Sequence, residues 1–372
     1  MSGFSFPKSM LGGALLVVSQ TLVLGAEARI PIHGPTTISA PGHYFVTQNF
    51  SVASGSAIRI LASNVVVDLN GRTLTHTSTV GPDNIVVWID AENPLTGIVI
   101  RDGFISGGRC GIASFNASGG NSPVQVRVEG VTISGSHTGI SIGGDSIDII
   151  GCRIEPLSDG ISVGLAGFSP SMRLVAKVLN NVVHAPGNGI FVYGARSSRI
   201  QGNTVTGVYF TGISVAGVLG SNGGGNVVSD NLVSGATGVP TTSDGIALMT
   251  TGFPGSVSPT NLVSRNVVTG MGRYGIWSYL DHTRLEGNVV SRCVLHGIFI
   301  GTTSLSGDAW GFHNHLEQNE STGNGGCGIM FQNANPHSYR MNVSLGNGLG
   351  GYCGPAGVAP PPPAVVLGIG NL

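Results

Sequence analysis

Lysine is almost missing from this 372-residue chain, present only as Lys8 and Lys177, and all charged residues together make up 9%. With a formal net charge of −1, the chain offers no stripe of cations to neutralise a phosphate backbone, which excludes ordinary nucleic-acid binding. Cysteine is scarce as well. Cys110, Cys152, Cys293, Cys327 and Cys353 are odd in number and scattered, without metal-ligand spacing, so most read as small core residues. No apolar run reaches the ~20 residues of a membrane-spanning helix. The run from Met10 to Gly25 is broken by Ser19, Gln20 and Thr21. Between Lys8 and Ala26-Glu27-Ala28 it reads as a secretory signal, residues 1–28, with a membrane anchor as the alternative. The mature chain is then expected to be secreted or periplasmic, with no membrane contact after cleavage.

What the chain has in excess is glycine, 61 residues without a Gly-X-Y period, so collagen is excluded; 41% hydrophobic residues spread over the whole length still allow a large core. The pair Gly-Ile stands at Gly111, Gly139, Gly160, Gly189, Gly212, Gly245, Gly275, Gly297 and Gly328, and its shortest steps are 21 to 23 residues. Short β-branched strands alternating with Gly and Asn at that period predict an all-β fold, a right-handed parallel β-helix of about eleven coils. A propeller blade would need about twice the length. The expected domain plan is an irregular amino-terminal cap over 29–54, the β-helix over 55–350, and a Pro-rich tail or cap over 351–372, where Pro360 to Pro363 cannot extend a sheet.

A second column fixes the register. Asn181, Asn203, Asn231, Asn266, Asn288, Asn319 and Asn342 recur once per coil, eight or nine residues before the next Gly-Ile in every coil but that of Asn231. Their amides are expected to bond along the axis as a scaffold ladder. The arc from Gly to Asn varies in length, so all insertions leave one side of the solenoid, and the short coils beginning at Gly189 and Gly275 should lie in furrows between insertion loops.

Strand parity turns the residue after Gly-Ile outward. That column reads Ala113, Ser141, Ser162, Phe191, Ser214, Ala247, Trp277, Phe299 and Met330, with Tyr193 and Tyr279 two residues further along. Trp277, Tyr279, Phe299, Phe191 and Tyr193 are therefore candidate sugar platforms, or else aromatics packed under loops. The residue before Gly-Ile forms a polar column in which Asp244, Tyr274 and His296 are neighbours, and Asp281, His282 and Arg284 fall in the same short coil. A carboxylate, a phenol and imidazoles can move the proton beside a uronate carboxyl, and Arg284 could offset that carboxyl. Polar turn residues gathered by the turns themselves are the alternative.

The Gly-Ile strands, the Asn column and the opening Asp68-Leu69-Asn70-Gly71 resemble secreted right-handed parallel β-helix proteins of the pectate-lyase-like superfamily. The resemblance implies a polysaccharide as partner and, among other activities, lyase or epimerase chemistry. Its reaction motifs are incomplete here. Val87-Trp88-Ile89-Asp90 is followed by Ala91 where such lyases carry histidine, and Asp281-His282 lacks the proline and second acid of alginate epimerases. Two readings follow: an enzyme of lyase or epimerase type on a uronate glycan, with Tyr274, His296, His282, Asp244, Asp281 and Arg284 as its reacting or orienting groups, or a non-catalytic glycan-binding or cell-surface β-helix. No metal ligand set or cofactor is evident, with Ca2+ the one ion left open, and nothing in the pattern fixes an oligomeric state.

Overall fold

The computed structural model describes residues 29–354 except 82, 91, 115–123, 165–173, 218–223, 237, 239–241, 251–259, 302–312 and 333–336. The expected signal segment, the polyproline run and most of the expected insertion loops therefore lie outside the described residues. Every described strand pairing is parallel, and each coil contributes a strand to the sheet that holds the Gly-Ile pairs, followed by strands of two further walls. The Gly-Ile sheet has thirteen strands, and the other two walls share a sheet of twenty-three, joined where Leu95–Gly107 and Val124–Ser134 bend from one wall into the next. This is the expected parallel β-helix.

Thirteen rungs exceed the expected eleven coils for a definite reason. Residues 29–54, expected to be irregular, form the strands Arg29–Ile32, Thr36–Ile38, Gly42–Val46 and Phe50–Val52, which pair in register with the coil that follows. Pro35, Pro41 and Gly42 mark corners there rather than a break in the stack. At the other end Gly350–Cys353 pairs with Cys327–Phe331 and so carries the sheet past the expected boundary at residue 350.

The main core is an axial column of stacked side chains. Ile112, Ile140, Ile161, Ile190, Ile213, Ile246, Ile276, Ile298 and Ile329 face inward in successive rungs, all essentially inaccessible, with Val and Leu of the other walls closing around them. Glycine precedes each Ile because two neighbours approach its α-carbon. A Cβ at Gly275 would lie 2.1 Å from Val290 Cγ1 and 2.8 Å from the Gly297 carbonyl.

The asparagine column forms the predicted ladder. Asn203 Nδ2 donates to Asn231 Oδ1 at 2.9 Å and to the Val178 carbonyl at 2.8 Å, while Asn203 Oδ1 accepts from both the backbone and side-chain nitrogens of Asn181. The pattern repeats to Asn342, so each buried amide in the interior of the ladder is satisfied from the coils beside it. The residue before each ladder Asn is left-handed, with φ near +55° at Asn180, Asp230, Arg265 and Gln318, which is where Gly202 and Gly287 also stand. A second ladder, Asn226 to Asn261 with Asn314 bonding the Thr283 amide, holds another corner.

The cysteines divide. Cys327 and Cys353 form a disulfide that ties the last two rungs of the Gly-Ile sheet, whereas Cys110, Cys152 and Cys293 are free and buried. No helix among the described residues is long and apolar enough to cross a membrane.

Candidate functional site

The structure separates the expected site into two places. Asp244, Tyr274, His296, Trp277, Tyr279 and Phe299 share the outer side of the Gly-Ile sheet. His282 and Arg284 lie beyond the corner that follows Tyr279, eight and ten residues after Tyr274 (282 − 274, 284 − 274), and Asp281 stands at that corner, half-buried. Arg284 projects from the next wall, where it pairs with Glu286 at 3.1 Å. Nearness in sequence concealed this turn of the coil.

On the Gly-Ile face the rings stack in register. Tyr274 lies parallel to Phe299 at 4.4 Å between centroids and to His296 at 5.7 Å, and Trp277 stands edge-on to Tyr279. Trp277 Nε1 donates to the Gly301 carbonyl at 3.0 Å. Tyr274 and Phe299 are buried in this packing, while Trp277, Tyr279 and His296 remain half-buried. Phe191 and Tyr193 stack separately three rungs away, beside a shallow cleft of about 250 Å³ that also takes in Asp159, Asn188 and Ser162.

Beside these rings stands a cation that the sequence reading missed, Arg273. Its guanidinium donates to both oxygens of Asp244, with Nε to Oδ1 at 2.9 Å, and sits over Tyr274 at 4.8 Å and Trp277 at 5.1 Å. Aromatic faces and a bidentate carboxylate are the surroundings a planar guanidinium suits. Burial pushes the Asp244 carboxyl above the ordinary carboxylate value, against the opposing pull of Arg273; the same pairing raises Arg273.

The polar column also has a structural task. Asp159 Oδ1 accepts the Asn188 amide at 2.8 Å, Asp244 Oδ1 the Tyr274 amide at 3.4 Å, and His296 Nδ1 the Cys327 amide at 2.9 Å. Each secures the corner of the next coil. Because His296 Nδ1 accepts, the neutral ring carries its proton on Nε2, and burial lowers its pKa so that this neutral form is favoured. His296 can therefore donate a hydrogen bond here but is not a resting base. Burial likewise raises the Tyr274 phenol, which keeps its proton.

Asp68 is held by Arg29, Asp148 is held by Lys177, Asp230 by Arg265 and Glu317 by Arg340. Among the described residues no group of three or more His, Cys, Asp or Glu could hold a metal ion.

Residues 167–345 match the family model described as the right handed beta helix region. The A-module of the mannuronan C-5 epimerase AlgE4 from Azotobacter vinelandii aligns at a TM-score of 0.54 and 14% identity, over 86% of this chain and 90% of that one. A mutant of the periplasmic alginate epimerase AlgG aligns at 0.57 and 13% identity, over 85% and 77%. No curated protein matches by sequence. At such identities the likeness establishes the fold: the chain is a right-handed parallel β-helix protein.

Proposed function

We propose that the protein, exported as its amino-terminal segment suggests, engages an acidic, uronate-bearing polysaccharide on the outer side of its Gly-Ile sheet. The observation that carries this is Arg273, fixed by the buried Asp244 and framed by the rings of Tyr274 and Trp277. A half-exposed guanidinium among aromatics offers charge to a uronate carboxylate and an apolar face to its ring. Two of the similar solved structures are epimerases that act on mannuronan or alginate, by their descriptions, which agrees in substrate class.

Proton transfer of lyase or epimerase type is the second reading, favoured by the protonated Tyr274 phenol and the His296 Nε2 proton beside that cation. Arg273 would draw charge from the uronate carboxyl and so acidify the adjacent C–H; the C5 proton would pass to the minor, ionised form of Tyr274 and from its phenol to the leaving oxygen or back to carbon, with the His296 Nε2 hydrogen bonding the sugar. Asp244 is committed to Arg273 and is a positioning residue.

Binding and turnover separate experimentally. Calorimetric titration with an oligouronate should show binding that Arg273→Gln removes and that an uncharged oligosaccharide of equal length does not reproduce. Equal binding of both sugars rejects the site. Appearance of an unsaturated, ultraviolet-absorbing product, or solvent exchange at C5, establishes turnover; neither, with binding intact, leaves a non-catalytic glycan-binding protein.

A further inference from the structure

The side chains that the split leaves on the neighbouring wall form a site of their own. A cleft of about 360 Å³ is lined by Thr260, His282, Thr283, Arg284, His313, His315, Glu317 and Arg340. It sits where the chain turns directly from Ile276–Ser278 into Thr283–Glu286, the short coil expected to lie in a furrow. Its volume is in the range of small-ligand pockets, and every lining side chain carries a polar or charged group, which suits a polar occupant.

Charge selects the ligand. Two guanidiniums, Arg284 and Arg340, face one carboxylate, Glu317, which accepts Arg340 at 2.7 Å and His315 Nε2 at 3.0 Å and lies 3.8 Å from Arg284. Glu317 is thereby held well below the ordinary carboxylate value, chiefly by Arg340, and keeps its own charge satisfied within the wall. Three imidazoles complete the rim: His282 and His313 stand 5.3 Å apart at the corner, and His315 bonds Ser338 through Nδ1. His282 Nδ1 is buried with no hydrogen-bond partner among the described residues. With Glu286, which pairs with Arg284 at 3.1 Å, and Glu317 against the two guanidiniums, these charges balance, so each imidazole that takes a proton adds net positive charge.

We infer that this cleft binds the carboxylate or sulfate group of an acidic oligosaccharide and binds it more tightly in acid. The charged groups around it are Asp281, Arg284 and Glu286 on its own coil, Arg265 with its partner Asp230 on the preceding side, and His313, His315, Glu317, His337 and Arg340 on the following side. Imidazole is the side-chain type among these that ordinarily takes a proton in mildly acid solution, so affinity is expected to follow the histidines. His337 is the exception, because burial lowers it to about 4. The inference shares its ligand class with the proposed function but uses none of that site's residues.

The test uses the full chain carrying Arg273→Gln, which removes the other face from the measurement. Calorimetry with tetragalacturonate at pH 5.5 and pH 8 should give one equivalent bound, about tenfold tighter at the lower pH. Arg284→Gln should weaken it about tenfold at pH 5.5. His282→Gln should flatten the pH dependence, and the ring signals of His282 and His313 should shift on titration. Equal affinity at both pH values, indifference to Arg284→Gln, or equal binding of a neutral tetrasaccharide overturns the inference. Inorganic sulfate competing at equal concentration would show an anion site with no sugar contribution and overturn its oligosaccharide part. If the Arg273 site fails while this one binds, only the proposed function falls.

Discussion

Asp244 and Arg273 meet across one step of the Gly-Ile sheet, the carboxylate taking the guanidinium through both oxygens while its Oδ1 also accepts the Tyr274 amide. The acid is buried and the arginine partly exposed, so the pair is a fixed cation presented outward. Removing the acid strips that fixation. Asp244→Asn should lower stability by about 2–4 kcal/mol, since it leaves a partly buried guanidinium without its counter-charge. Oligouronate affinity should fall with it. Urea unfolding reads the first effect and calorimetry the second; an unchanged midpoint would mean that the pair carries nothing.

Gly275 is held close by two neighbours of different kinds, Val290 Cγ1 and the Gly297 carbonyl. Gly275→Ala should destabilise by about 3 kcal/mol or more, because a Cβ overlaps packed atoms on both sides. Trimming Val290 to Ala relieves one clash and leaves the other. The double variant should therefore recover part of the loss, with a coupling of about 1 kcal/mol or more in a double-mutant cycle. Strict additivity of the two single losses would contradict the packing described.

Gly-Ile and the first Asn column were legible because both sit on the arc whose length hardly changes, eight or nine residues from Asn to Gly in all but one coil. The second ladder was not. Asn226, Asn261 and Asn314 follow segments of variable length, so stacking aligns residues that have no common spacing in the chain. Arg273 was hidden for the same reason: Asp244 lies 29 residues earlier across one such segment. The disulfide from Cys327 to Cys353, 26 residues apart, matches no repeat step either. His282 and Arg284 erred in the opposite direction, close in sequence to Tyr274 but carried round a corner to another wall.

Asn266 holds four hydrogen bonds as acceptor and donor: Asn231 N and Nδ2 donate to its Oδ1, and its Nδ2 reaches the Val228 carbonyl and Asn288 Oδ1. Asn266→Ala leaves several of these groups buried and unpaired, at about 1–3 kcal/mol each before relaxation. A net loss of about 3–5 kcal/mol is expected. Asn342, the half-exposed end of the ladder, should cost less when truncated, since water can reach its partners. Equal losses at the two positions, measured by thermal unfolding, would show that the ladder is not cooperative along the axis.

The free thiols of Cys110, Cys152 and Cys293 are buried, which pushes them to about 11, about 11 and about 12. Neutral thiols out of reach of solvent do not attack alkylating agents. Native protein at pH 8 should remain unlabelled by iodoacetamide, denatured protein should gain three labels, and denatured, reduced protein five. Intact-mass spectrometry counts them. Labelling of the native chain at Cys293 would contradict the packing beneath Gly275.

Acid should loosen the carboxyl-terminal coils before it touches the rest. His337, packed against Phe331 at 4.9 Å, is lowered to about 4 by burial and by His313, and His296 is lowered by burial. Above about pH 6.5 both states hold these imidazoles neutral. As pH falls through that value the unfolded chain takes up protons that the folded chain refuses, so stability declines until His337 itself protonates near pH 4. The loss due to His337 is at most about 3 kcal/mol. Carboxylates such as Glu317, held low by Arg340 and His315, add to the loss only in more acid solution, as pH falls through their lowered value. Unfolding free energies from pH 7.5 to 4 should therefore slope downward in the wild type, and His337→Phe should flatten that slope; an identical slope in the variant would remove His337 as its cause.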